Sequence, residues 1–262
     1  MGKIVSFWSM KSGWGASSLL ALLAHLLSDS NEGKILCVNA NYSNKYLDKI
    51  LNSNNKNTID DLLVLLKSGD LNRGLLKSFT SRVKGTNIDF ISGSEVESHL
   101  NNHLKNKVLV SSFFDLLRAE YSLVLLDLNS DISNSILNSC LDCSDVNIAV
   151  IKQDKHSILD RIMYLNRTDL RFDYGLINCY DTSLGLLKNE FNALKLWKMS
   201  FELPYCSDFL EAINVGNLKA YANKTTDLDM ELLKLMEDLI DKYSLRKSNR
   251  AQVFKGFKLF KF

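Results

Sequence analysis

Eight consecutive residues near the start of the chain, Lys11-Ser12-Gly13-Trp14-Gly15-Ala16-Ser17-Ser18, have the make-up of an anion site. They lie between an apolar run, Lys3–Ser9, that reads as a strand and a run from Ala16 to Ser28 that reads as a helix. A strand entering a glycine-bearing turn and then a helix aims backbone N–H groups and the positive end of the helix dipole at one place. Phosphate is the group such a place suits. The usual phosphate-loop pattern is G-x-x-x-x-G-K-[ST], whose lysine reaches the β- and γ-phosphates. Here Ala16 stands where that lysine belongs, while Ser17 keeps the hydroxyl. The chemistry on offer is phosphate binding with one of its usual charges removed.

The elements that position this loop follow from periodicity. Ala16–Ser28 is apolar on nearly all sides, which places it against a sheet. Lys34–Asn39 is a second strand, so the start of the chain is a parallel βαβ unit with a right-handed crossover. Residues 43–80 read as helical and more polar, with a break at Asn52–Asn57 and a helix start at Thr58, which has an N-cap side chain. Asn87–Ser92 is a short strand, Lys107–Glu120 an amphipathic helix, and Tyr121–Leu128 the clearest buried strand. The alternation continues with a helix over Ser133–Leu141, a strand over Asn147–Lys152 and a helix over Lys155–Asn166. It ends with a strand over Tyr174–Asn178, a helix over Ser183–Leu194 and a short strand over Met199–Leu203 that Pro204 breaks. Asp227–Tyr243 is a periodic closing helix.

The pattern predicts one α/β domain over residues 1–244, a doubly wound and mostly parallel sheet flanked by helices, with a separate tail over 245–262. Ligands of such sheets bind outside the carboxyl ends of the strands. Those ends supply Asn39, Asn41, Asp127, Lys152 to Asp154, Asn178, Leu203 and Pro204 to the crevice that the loop faces.

Composition removes several other classes. The chain has 262 residues, 46% hydrophobic and 24% charged, an ordinary globular balance with room for one large domain. No apolar run approaches the roughly 18–20 residues of a membrane span, and residues 1–10 lack the features of a secretory leader. Five cysteines, three of them (Cys37, Cys179 and Cys206) in or beside strands, fit free thiols in a reducing cytoplasm. Cys140 and Cys143 form a C-x-x-C with no second pair to complete a zinc site. His99 and His103, four apart, have no third ligand nearby and read as a solvated face, and His25 reads as part of a buried helix.

In this order and on these elements, the motifs resemble the ParA/MinD superfamily of deviant-Walker P-loop ATPases, from the first strand to about Asn217. That family's loop is K-G-G-x-G-K-T. Lys11 matches its early signature lysine, Gly13 and Gly15 match two glycines, Ser12 replaces a third, and Ser17 matches the Mg²⁺-binding hydroxyl. Asn39-Ala40-Asn41 stands in place of a D-x-D motif. Asp127 matches the Walker B aspartate and Asn178 the adenine-side asparagine. Leu203-Pro204 and Ala212-Ile-Asn-Val-Gly216 match an I-P loop and an A-x-N-x-G stretch, which accounts for the only proline of the chain. The resemblance implies a nucleotide-binding set of Lys11, Ser12, Gly13, Trp14, Gly15, Ala16, Ser17, Ser18, Asn178, Leu203 and Pro204, with Ser17 and Asp127 on Mg²⁺. It also implies a face-to-face homodimer in which the signature lysine crosses to the partner's phosphates. Gly13-Trp-Gly-Ala-Ser-Ser18 is similar to the loop of the CpaE/TadZ branch, pilus-assembly localisation proteins that often carry Ala-Ser for Lys-Thr. Those proteins commonly carry a receiver-like N-terminal domain. A chain that opens on the first strand reads as a divergent or truncated member.

The departures from the family set the expected chemistry. Phosphoryl transfer depends on positioning and charge stabilisation. Ala16, Asn39 and Asn41 each stand where the family has a charge, and losing one such group typically costs about 2.7–4 kcal/mol of transition-state stabilisation. Hydrolysis is expected to be very slow or absent, with no catalytic residue to name. Weak binding of Mg²⁺-ATP and no binding both stand open; in the second case Trp14 is expected to fill or cap the site.

The tail, Leu245–Phe262, carries six basic residues and no acidic one. That leaves 26 basic against 30 acidic residues elsewhere, a net −4. As a helix it gathers Phe254, Phe257 and Phe260 roughly on one side with Lys255 and Lys258 flanking, a pattern that suits anionic lipid or a docking partner. The MinD branch ends in a similar basic amphipathic helix, and Lys255-Gly256-Phe257 resembles part of it. The expectation is a degenerate ParA/MinD-like homodimer in the cytoplasm, peripheral on the inner membrane face. It would serve as spatial organiser or scaffold for a membrane-associated assembly of pilus or secretion type. The alternative is an active ParA-type ATPase in DNA partition, which the net acidic body disfavours.

Overall fold

Among the described residues, eight strands form one sheet: β1 (Lys3–Ser9), β2 (Ile35–Ala40), β3 (Ser81–Arg82), β4 (Ile88–Ile91), β5 (Leu123–Leu128), β6 (Val146–Ile151), β7 (Phe172–Tyr180) and β8 (Trp197–Pro204). Their spatial order is β3-β4-β2-β5-β1-β6-β7-β8, parallel throughout except for the antiparallel edge pair β3–β4. The structure is a computed structural model that describes residues 1–28, 33–41, 45–52, 57–94, 106–128, 130–131, 135–168, 170, 172–186, 188–224 and 226–243. The expectations for His99, His103 and the tail, with its Phe254, Phe257, Phe260, Lys255 and Lys258, lie outside these residues.

Helices cover both faces, and the period-two alternation of the strands decides which side chain meets which layer. Val5 and Phe7 of β1 pack with α1 (Ala16–Ser28), α2 (Tyr46–Ile50) and the closing helices. Ile4 and Trp8 pack on the opposite face with α3 (Ile59–Ser68), α5 (Lys107–Glu120), α6 (Ser135–Cys143) and α7 (Lys155–Thr168). Trp8 stacks on Phe172 of β7 there, ring centroids 5.0 Å apart. Buried on both sides, the central strands need continuous apolar runs, which is why LVLLDL of β5 was the clearest strand to read. The thiol of Cys37, wholly enclosed beside α1, is pushed well above its usual range by that burial.

Several boundaries differ from the sequence reading for identifiable reasons. The expected helical stretch over 43–80 is three short helices, α2, α3 and α4 (Arg73–Ser78). Thr58 is the N-cap of α3, its backbone N–H donating to Asp61 Oδ2 at 2.8 Å, and Gly69 ends that helix in a left-handed conformation. The helix expected over Ser183–Leu194 is only α8 (Lys188–Ala193). Asp181 accepts from both the backbone N–H and the hydroxyl of Ser183, at 2.8 and 2.7 Å, and this local turn competes with helix. After Pro204 come α9 (Ser207–Asn214) and α10 (Leu218–Ala222), read from the sequence only as a family motif, and then α11 (Asp227–Tyr243) at its expected limits.

Candidate functional site: a phosphate loop without its lysine

The loop between β1 and α1 is built from two glycines that adopt conformations other residues avoid. Gly13 has φ +81° and Gly15 φ +99°. They turn the chain so that α1 begins at once, Leu19 N–H bonding back to the carbonyl of Gly15 at 2.9 Å. The first-turn N–H groups of α1 therefore have no partner inside the helix and face the cleft. Asn178, at the end of β7, fastens the loop: its Nδ2 donates to the carbonyl of Trp14 at 2.8 Å, and its Oδ1 accepts from Cys179 N–H at 3.0 Å. A Cβ at Gly15 would lie 2.5 Å from Asn178 Nδ2. Gly15→Ala is thus expected to displace Asn178, strain the loop and cost about 1–3 kcal/mol in a urea melt.

The hydroxyl of Ser17 donates to Asp127 Oδ2 at 2.6 Å. Alternation sends Leu126 of β5 to the far layer and Asp127 to the α1 side, so the contact follows from strand register. Asp127 is 1% exposed and its Oδ1 has no partner. Desolvation pushes its carboxyl up to about 7, against the stabilising bond from Ser17, and the Asp48 carboxylate adds to the rise. A buried carboxylate with one orphaned oxygen, beside a hydroxyl at a phosphate loop, is a donor set that fits Mg²⁺.

Asn39 does something the sequence did not reveal. Its Nδ2 donates to Asp48 Oδ1 at 2.5 Å, and its Oδ1 accepts from Asn41 N–H at 2.9 Å. Asp48, on α2, also accepts from the hydroxyl of Ser92 and from Gly93 N–H. Asn39 is therefore more than a lost carboxylate. It is the partner of a buried carboxylate that sits elsewhere in the chain.

These elements line one cleft of about 450 Å³. Ser12, Gly13, Gly15, Ala16, Ser17 and Ser18 form its floor; Asn41, Asp127, Lys152 and Asn178 stand along the strand ends; Pro204, Tyr205, Phe209 and Ile213 supply an apolar wall. Three members of the expected nucleotide-binding set are placed otherwise. Trp14 does not fill or cap the site: it is buried in the core of the opposite face, because the turn between Gly13 and Gly15 directs it there. Leu203 is wholly buried behind Pro204. Lys11 points out of the cleft toward α7, its Nζ 3.2 Å from Ser157 Oγ and 3.7 Å from Asp154 Oδ2. Asp154 is held below the usual carboxylate range chiefly by bonds from Ser157 and secondarily by Lys11. The exposed pair with Lys11 is worth little, so Lys11 remains free to move. Asp48, Tyr205 and Phe209 were not singled out from the sequence, and Lys152 was noted only as a strand end. No spacing marks such residues, because the sheet brings them together from distant segments.

A parallel sheet in this order, with a glycine loop after β1 and a Ser–Asp contact between α1 and β5, defines the P-loop NTPase fold of ParA/MinD type. Solved structures agree. A ParA family ATPase of Chlorobium tepidum superposes with a TM-score of 0.74 at 19% identity, over 90% of this chain and 98% of that one. The septum site-determining protein MinD of Pyrococcus horikoshii, complexed with Mg-ADP, gives 0.71 at 18% identity, over 91% and 96%. The MinC:MinD cell division complex of Aquifex aeolicus gives 0.70 at 18% identity, over 92% and 96%. No protein-family model and no curated protein matches the sequence.

Proposed function

We propose that this protein binds Mg²⁺-ATP in the cleft at the carboxyl edge of its sheet, hydrolyses it very slowly or not at all, and works as a spatial organiser rather than an enzyme. The observation that carries this reading is the pairing of a preserved Ser17–Asp127 contact with Ala16 at the lysine position. Ser17 and Asp127 would hold the metal, the first-turn N–H groups of α1 the phosphates, and the wall of Pro204, Tyr205 and Phe209 the base. Bound Mg²⁺ would supply charge neutralisation between phosphates and Asp127. The residues present orient and retain the nucleotide, while the group that would stabilise charge on the transferring phosphate is missing.

The organiser role rests on three features. Lys11 lies outside its own cleft, where it can reach a second copy in a homodimer. The loop resembles that of the pilus-assembly localisation proteins. The basic aromatic tail suits an anionic membrane surface or a partner of a pilus or secretion assembly. No helix among the described residues is long and apolar enough to cross a membrane. Steady-state phosphate release should not exceed the blank and should be the same for Lys11→Ala. Turnover abolished by that substitution would favour the ParA-type DNA-partition ATPase instead. Removing residues 246–262 should abolish co-sedimentation with anionic liposomes; equal pelleting of both forms on anionic and neutral lipid would remove the tail from the account.

A further inference from the structure

The cleft has a cation, but not on its loop. Alternation along β6 puts Val150 in the α1 layer and Ile151 in the opposite one, so Lys152, the next residue, returns to the α1 side at the end of the strand. It lines the same cleft as Ser12, Gly13, Ala16 and Ser17 and is half-buried there. β6 is the neighbour of β1, and Met10 N–H bonds to the carbonyl of Val150 at 3.1 Å. Lys152 thus leaves the sheet directly beside the loop that lacks a lysine.

Two further observations show that this ammonium is uncommitted. Among the described residues it makes no ion pair and no side-chain hydrogen bond. Asp154, the nearest acid in sequence, is occupied by Ser157 and Lys11. The carboxylate that does line the cleft, Asp127, directs one oxygen to Ser17 and leaves the other buried without a partner. An orphaned buried carboxylate oxygen and an unpaired lysine in one cleft would be poor design for a closed site. They make sense together when a ligand brings both a metal ion and a polyanion.

Resting on the nucleotide-binding reading above, we propose that Lys152 supplies the cation over the β- and γ-phosphates of a bound nucleoside triphosphate, in place of the lysine absent at position 16. A lysine suits the task because its charge is a point on a flexible four-carbon stem and can reach from a neighbouring strand end. Approaching from β6 rather than from the helix N-terminus, it would hold the phosphates from the side. That contributes to affinity without occupying the position from which a loop lysine follows the transferring phosphoryl group.

Calorimetric titration of the full chain with Mg²⁺-ATP tests this, using wild type, Lys152→Ala, and Lys152→Ala combined with Ala16→Lys. Lys152→Ala should weaken ATP at least tenfold while the melting temperature without nucleotide stays unchanged. The combined variant should recover affinity to within about threefold of wild type, which a merely structural role for Lys152 would not produce. Binding of ATP by Lys152→Ala within twofold of wild type would overturn the role of Lys152 and leave the nucleotide reading standing. Absence of ATP binding by the wild type would overturn both.

Discussion

Asn39→Asp is expected to destabilise the protein by about 3–5 kcal/mol, the usual range for an uncompensated buried charge, and to create no ATPase. The substitution looks like a repair, since the family carries an acid at this position. The surroundings forbid it. Asn39 is wholly buried and its amide is the donor to Asp48 at 2.5 Å. An aspartate would replace the donating amide with a second carboxyl group facing Asp48, so the contact would lose its donor and two acidic groups would share one buried site. There is no space for retreat, because even a Cβ at Gly93 would lie 2.7 Å from Asn39 Nδ2. Urea melts should show the loss. Adding Asp48→Asn should recover much of it by exchanging donor and acceptor. A single variant as stable as wild type would show that the Asn39–Asp48 contact contributes nothing.

Asp127→Asn should do the opposite and stabilise the nucleotide-free protein above neutral pH. Folding raises the Asp127 carboxyl from its ordinary 3.8 to about 7 by burying it. The folded chain therefore holds a proton that the unfolded chain releases between these values, and stability contributed by this group falls as pH rises from about 4 to about 8. The shift corresponds to on the order of 4 kcal/mol at pH 8. Asparagine keeps an acceptor for Ser17 and carries no charge, but leaves buried N–H groups to satisfy, which returns about 1–3 kcal/mol of that gain. The variant should melt higher than wild type at pH 8 and no higher at pH 5, and Mg²⁺ should stabilise wild type only. A variant less stable than wild type at pH 8 would mean that the unpaired Oδ1 is not a burden.

These two residues also mark how far the sequence could be read. Asp127 was legible as a strand-end acid because the run Tyr121–Leu128 is a buried strand by hydrophobicity alone, and register then carries its side chain to Ser17. The loop was legible because its glycines are local in sequence and need their backbone conformations. Asn39 was visible as a departure but not as a partner, since Asp48 sits on a five-residue helix whose direction no periodicity fixes. Trp14 was misread for a related reason. A tryptophan between two glycines can turn to either face of a sheet, and only the packing of the far core decides. Lys152 stood in plain view as a strand end, but its relation to Ala16 depends on β6 lying next to β1, a fact of topology.

A nucleotide site that holds without cleaving is tested most directly by identifying what the protein binds. The full chain, dialysed to equilibrium against Mg²⁺-ATP, should hold an excess of nucleotide on the protein side, all of it intact ATP by chromatography. Accumulation of ADP, or no excess of nucleotide with the protein, would contradict it.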